Sequence, residues 1–168
     1  MTKTTVFKRP TAQDGMRAHK LIAKCPPLDP NSSYCNLLQC SHFAATSVAA
    51  EQDDELVGFI SGYRLPDAPH TLFVWQVAVS EVARGQGLAS RMLQALLTRS
   101  CNRDITHIET TITEDNAGSW ALFTKLAKSL HCPLERSSHF DKDTHFQGQH
   151  ASELLAKVGP FDSAGLDQ

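Results

Sequence analysis

The chain has 168 residues, 41% hydrophobic and 20% charged, the make-up of an ordinary globular domain. Sixteen Lys and Arg against eighteen Asp and Glu leave a formal net charge of −2, so no bulk positive field draws it to nucleic acid or an anionic membrane. No run reaches the ~20 apolar residues of a membrane span, the start lacks the features of an export signal, and five cysteines without a C-x-x-C pair read as reduced thiols in a cytoplasmic protein.

Thr4 to Lys8 has the branched and aromatic residues of a strand, ended by Arg9-Pro10. Thr11 and Asp14 form a capping box that predicts a helix to about Cys25. Cys25-Pro-Pro-Leu-Asp-Pro30 must be a loop, because proline fits neither a helix interior nor a central strand. Ser32 to Cys40 reads as a short helix. Thr46 to Ala50 and Leu56 to Tyr63, separated by Gln52-Asp-Asp-Glu55, outline an antiparallel hairpin.

Thr71 to Ser80 is almost unbroken apolar sequence, as in a strand covered on both faces. Leu88, Met92, Ala95 and Leu96 then recur at helical spacing up to Arg99, and Ile105 to Ile112 alternates as a strand. Ser119 to Leu130 predicts a second amphipathic helix. Leu134 to Phe140 and Glu153 to Val158 close the chain as two short strands, and the polar tail 162–168 is expected to fray. The order is β-α-α-β-β-β-α-β-α-β-β, in one mixed α/β domain over 1–168 with an ordered core of about 4–161.

Chemistry concentrates in Val79-Ser-Glu-Val-Ala-Arg84-Gly85-Gln86-Gly87-Leu88-Ala89, where a buried strand gives way to a glycine-punctuated turn and then a helix. Glycines let the backbone turn tightly and approach a ligand closely, and the free N–H groups of a helix's first turn favour an anion. Arg84 adds a positive charge and Ser90 a hydroxyl. An ordinary strand-to-helix turn is the alternative. The segment is neither a Walker loop, since no Gly-Lys-Ser/Thr follows, nor a dinucleotide G-x-G-x-x-G, since position 90 is Ser.

The turn after the fourth strand, followed by Asn116-Ala-Gly-Ser119-Trp-Ala-Leu-Phe123 on the next helix, resembles the GCN5-related N-acetyltransferase (GNAT) superfamily over about Thr71 to Leu130. The resemblance implies the acyl-CoA N-acyltransferase fold, a mostly antiparallel central sheet flanked by helices. It implies acetyl-coenzyme A as co-substrate, held by Val77, Ala78, Val79, Arg84, Gly85, Gln86, Gly87, Leu88, Ala89, Ser90, Asn116, Ser119 and Phe123. A backbone N–H of Ala78 or Val79 would meet the oxyanion if a bulge there frees it from the ladder. In the superfamily a tyrosine often stands where this chain has Phe123, which cannot protonate a leaving thiolate.

Further segments extend the likeness across nearly the whole chain: Arg9 to Gly15, Pro27 to Tyr34, Leu37 to Phe43, Thr46-Ser-Val48, Leu72 to Val79 and Gln149-His-Ala-Ser-Glu153. These are similar to the diaminobutyrate acetyltransferase family of ectoine biosynthesis. That implies acetyl transfer to the 4-amino group of L-2,4-diaminobutyrate, a small-molecule pocket and a homodimer, with the product passed to ring closure for osmoprotection. Asp29 and Glu153 are assigned to the substrate's ammonium groups, Ser32, Tyr34 and His150 to hydrogen bonds, and Trp75 to an apolar wall or cation–π face. The base is Glu153, Asp29 or a water chain; Tyr34 is a conceivable general acid.

Other readings stand beside these. Asp29 before Pro30 also suits a turn-forming Asx residue, and Trp75 suits core packing. His139, His145 and His150 match no standard zinc spacing, and no metal is expected. Acetylation of another small amine or of a protein, and a coenzyme-binding module without catalysis, are the competing functions.

Overall fold

The computed structural model describes residues 3–167. Strands β1 (Val6–Lys8), β2 (Val48–Gln52), β3 (Glu55–Leu65), β4 (Ala68–Val79), β5 (His107–Thr113), β6 (Leu134–Phe140) and β7 (Glu153–Val158) form one sheet in the order β1-β2-β3-β4-β5-β7-β6. Helices α1 (Gly15–Ala23), α2 (Ser33–Ser41), α3 (Leu88–Leu97) and α4 (Ala117–Ser129) complete the order expected from the sequence. Every strand pair is antiparallel except β4 with β5.

The sheet separates two apolar layers. On one face Leu72, Val74, Ile108 and Ala156 pack with Leu88, Met92, Leu93, Leu96, Trp120 and Leu126 of α3 and α4. On the other, Ala49, Phe59 and Ala78 meet Ala18, Leu21 and Ile22 of α1 and Cys40 of α2. Each fully buried Leu or Ile contributes about 1.5–3 kcal/mol, so α3, with four leucines and Met92 buried, is a principal anchor of the fold.

Local chemistry explains the boundaries. The Thr11–Asp14 capping box forms, the Asp14 carboxylate accepting the Thr11 N–H at 2.9 Å. It opens a 3-10 turn at Ala12–Asp14 before α1 begins, and Asp14 also pairs with Lys8 at 3.2 Å and Arg17 at 2.9 Å. The hairpin turn of β2 and β3 has positive φ at both Asp53 (52°) and Asp54 (62°), the backbone of a type I′ turn. β2 starts at Val48 instead of Thr46, since Ala44–Thr46 is a 3-10 turn. Arg99 donates there to the Ala44, Ala45 and Ser47 carbonyls, a tie from α3's end that pattern alone does not reveal. β4, by contrast, begins three residues early, paired through Ala68 to Leu65.

The tail departs from the fraying expected of it. Ser163–Asp167 forms a 3-10 turn whose Leu166 is buried, with the Leu166 carbonyl accepting from Gln94 at 2.9 Å, and Phe161 packs in the same layer. Two well-spaced apolar residues hold a segment whose average composition is polar. Gln168 lies outside the described residues.

Candidate active site

The site grows from a defect in the sheet. Parallel pairing of β4 with β5 covers only Thr71–Phe73 against His107–Glu109, and the Thr110 hydroxyl then bridges to the Val74 carbonyl at 2.9 Å. Beyond that point β5 stays paired to β7 through Thr113, while β4 runs on beside β3 to Val79. The side of β4 that faces β5 is therefore unpaired over Trp75–Val79.

The antiparallel ladder decides which groups point into that gap. Ser80 N–H bonds to the Val57 carbonyl at 2.8 Å, which makes Gly58–Val79 a non-hydrogen-bonded pair. Ala78 exchanges its bonds with Phe59, whereas the N–H groups of Val77 and Val79 point away from β3. The Val79 carbonyl is engaged by Cys25 Sγ at 3.5 Å and Arg84 Nε at 3.3 Å, leaving its N–H as the open group. The register break lies upstream of the position sequence reasoning considered, between Ser61–Gln76 and Gly62–Val74, with Trp75 as the extra residue. Strand alternation, not a bulge, frees the N–H of Val79.

After Val79 the chain makes a 3-10 turn at Glu81–Ala83 and then bends through Gly85 (φ +78°) and Gly87 (φ +68°). Gly87 is the N-cap of α3 in left-handed conformation, no side chain caps the helix, and an added Cβ at either glycine meets no atom within 4 Å. The first-turn N–H groups of Leu88, Ala89 and Ser90 thus open on free space. Gln86 is tied back by Gln52 at 3.1 Å. A cavity of about 310 Å³ adjoins this turn, lined by Gln86, Gly87 and Ser90 with Arg91 and, from α4, Lys125. The geometry suits an anion with cationic side chains around it.

Across the gap, Asn116 caps α4, its Oδ1 accepting from Ser119 N–H at 3.1 Å. Phe123, two turns in, is 2% exposed and packs in the core beside Leu126.

The opposite face of β4 carries the other predicted residues. Because Trp75 is the bulged residue, Trp75 and Gln76 both face the side of α1 and α2. Trp75 is 40% exposed and meets Tyr63 edge-on at 5.9 Å, extending an aromatic row through Phe73 and Phe43. At that exposure it is not a core residue. The loop before α2 lies against this strand: Gln76 Nε2 donates to the Asp29 carbonyl at 2.8 Å, and Asn31 Nδ2 donates to Gln76 Oε1 at 2.7 Å.

Within that loop the Asp29 carboxylate accepts the Asn31 N–H at 3.1 Å, so the Asx turn does form. Ser32 caps α2 by accepting from Cys35 N–H at 3.1 Å, and Tyr34 follows at 68% exposure. Burial raises the Cys35 thiol pKa above its ordinary value, and the nearby Asp29 charge adds to this, so Cys35 stays protonated.

Glu153 stands opposite Thr113 at the start of β7 and accepts from the Thr111 hydroxyl at 3.1 Å. Ile108, Thr110 and Ile112 are buried toward α3 and α4, so Thr111 and Glu153 share the face of Trp75. His150 Nδ1 donates to the Ala151 carbonyl (2.6 Å), and its ring packs tilted against Phe146 at 4.6 Å. It lines a cavity of about 580 Å³ with Thr113, Glu114, Asp115, Lys142 and Ser152. His139 and His145 instead pack around Phe140. Among the described residues no group of three or more His, Cys, Asp or Glu could hold a metal ion.

The sequence model of the acetyltransferase (GNAT) family matches residues 16–127, and the L-2,4-diaminobutyric acid acetyltransferase of Methylotuvimicrobium alcaliphilum is 63% identical over 92% of this chain and 90% of that one. The chain belongs to the diaminobutyric acid acetyltransferases of the GNAT family. The Vibrio cholerae member is 51% identical over 95% of this chain and 91% of its own. The diaminobutyrate acetyltransferase of Paenibacillus lautus, solved with L-2,4-diaminobutyric acid and coenzyme A, superposes with a TM-score of 0.90 at 38% identity, covering 95% of this chain and 97% of that one. The Escherichia coli ribosomal-protein-S18-alanine N-acetyltransferase shares the fold alone, at TM-score 0.70 and 13% identity.

For this diaminobutyric acid acetyltransferase family member, sequence reasoning missed Gln76, Thr111 and the cavity residues Thr113 and Lys142. Gln76 stands inside the segment Leu72 to Val79 that carries part of the family likeness. Its polar side chain in an otherwise apolar strand was the available signal, since a buried amide needs partners from another element.

Proposed function

We propose that the protein transfers the acetyl group of acetyl-coenzyme A to the 4-amino group of L-2,4-diaminobutyrate. The observation that carries this reading is the near-complete superposition on the Paenibacillus lautus enzyme, which was solved with that diamino acid and coenzyme A. The phosphates lie on the Arg84–Ser90 turn and the pantetheine arm runs along the gap between β4 and β5, past Asn116 and Ser119.

An alkyl ammonium has a pKa near 10.4, so the amine must lose a proton before its nitrogen attacks the thioester carbonyl. Glu153, held by Thr111, accepts that proton directly or through water. The Val79 N–H stabilises the oxyanion. The C–S bond then breaks, and the departing thiolate, whose conjugate acid has a pKa of about 8.5, takes a proton from water or from Tyr34. Phe123 supplies none. Asp29 holds the second ammonium group, Trp75 forms the wall and His150 closes the cavity side.

No helix among the described residues is long and apolar enough to cross a membrane. We read the enzyme as cytoplasmic and as a homodimer. The support for the dimer is β6, an edge strand whose residues from Glu135 to Phe140 are all exposed.

A thiol-release assay with a panel of short diamino acids tests the function. Fast release with L-2,4-diaminobutyrate and much slower release with ornithine or lysine is expected. Equal rates across the panel would refute the substrate assignment.

A further inference from the structure

We propose that Gln76 is a positioning residue that sets the place of the substrate loop against β4, and through it the enzyme's discrimination between diamino acids. The inference rests on the diaminobutyrate reading above and deepens it. Gln76 is 8% exposed and bonded from three directions. Its backbone N–H donates to Ser61 Oγ at 3.2 Å, which fixes it to β3 at the register break. Its side-chain amide spans to the loop at both ends, through the Asp29 carbonyl and the Asn31 amide.

The orientation of that amide is determined. A backbone carbonyl only accepts, so Nε2 must face Asp29, and Oε1 must then take the Asn31 donor. Among side chains of this length, glutamine alone offers donor and acceptor in one plane at neutral pH, where the isosteric glutamate is an acceptor only. The loop and the first turn of α2 hold Asp29, Ser32 and Tyr34 within six residues, and this amide is a direct tie from the loop to β4. The bulge that exposes Trp75 is also what turns Gln76 to the loop's side, so wall and loop are placed by one irregularity.

Gln76→Leu keeps the volume and removes both bonds. Losing one or two such bonds corresponds to roughly tenfold, and the KM for diaminobutyrate is expected to rise by that factor. The preference for diaminobutyrate over ornithine should narrow, while the Kd for coenzyme A, measured by calorimetry, stays within about twofold. Gln76→Glu separates positioning from simple packing. Its carboxylate faces the Asp29 carbonyl as a second acceptor, whereas its protonated form can still donate. Its activity relative to wild type should therefore climb as the pH falls, a trend that Gln76→Leu lacks.

Asn31→Gly removes only the loop's half of the contact and tolerates the φ of 56° at that position. Combined with Gln76→Leu, it should add little to the single loss, as for two ends of one interaction. Amide hydrogen exchange over residues 27–34 should speed up in Gln76→Leu whatever the substrate. Unchanged exchange, an unchanged diaminobutyrate KM, additive losses, or a coenzyme Kd that worsens in parallel would each overturn the proposal. A wild-type enzyme that ignores diaminobutyrate would instead sink the functional reading, with exchange still deciding the role of Gln76.

Discussion

Gly87→Ala tests the anion site with two independent readouts. At φ +68° an L side chain is strained even where space is open, and open space is what surrounds this position. Strain alone therefore sets the stability cost, about 1–2 kcal/mol. For a chain of this size that lowers Tm by about 2–8 °C, read by differential scanning calorimetry without ligand. The functional cost has another origin. The new methyl projects into the space ahead of α3, where the coenzyme's phosphates would come within hydrogen-bonding reach of the Leu88, Ala89 and Ser90 amides. Losing one charge-assisted bond costs about 1.5–3 kcal/mol, or roughly 10- to 150-fold in the Kd for acetyl-coenzyme A. Isothermal titration measures that directly, while the diaminobutyrate KM at saturating coenzyme stays near wild type. A variant that loses the expected stability yet binds the coenzyme normally would show that the phosphates lie elsewhere.

Glu153→Gln should lower turnover by about 10²-fold or more while shifting Tm only slightly, because the carboxylate has one side-chain partner, Thr111, and is partly exposed; steady-state kinetics beside a melting curve checks both. Ser32→Ala removes the α2 cap and should cost about 1 kcal/mol of stability, visible in chemical denaturation. Asp14→Asn strips a nearly buried carboxylate from Lys8 and Arg17, which are themselves about a third exposed, so about 2–3 kcal/mol is expected, less than for a fully buried pair. The pH dependence carries a sign. Burial pushes the Asp14 pKa up, but the Thr11 N–H, Lys8 and Arg17 outweigh it and hold it below its ordinary value; bonds from Lys8 and Arg17 lower Glu51 likewise. Their stabilisation is complete above the unfolded carboxylate range near pH ~4 and is lost as pH falls through the lowered folded values. Acid titration of wild type should show that loss, and Asp14→Asn should show a shallower one.

Much of this was readable from residue order. Strands β6 and β7 and the glycine turn follow local patterns that the chain obeys because burial and turn chemistry agree there. Other features depend on partners far apart in sequence. The start of β2 is set by Arg99, some fifty residues later, and the tail is retained by Gln94. Within the site, Arg84, Gly85 and Gly87 announced themselves through spacing. The open N–H of Val79 did not, because the phase of a ladder depends on which residues pair. Asp29 showed the opposite case: its turn-forming role was legible locally, and the structure adds that the same loop is gripped by an amide 45 residues onward.

The early end of the β4–β5 pairing has a consequence for how the protein takes up its co-substrate. From Trp75 to Val79 the sheet carries a row of interior edge groups that no strand among the described residues satisfies. An extended molecule bearing amides at peptide-like spacing can fill that vacancy as a removable strand, held by main-chain contacts that do not depend on side-chain identity. Affinity along this stretch is then buffered against mutation of Val77 or Val79, whereas drift at the glycine turn is punished. Loading should also stiffen the two halves of the sheet together, so that slow exchange of the β4 amides reports occupancy even before any acetyl group moves.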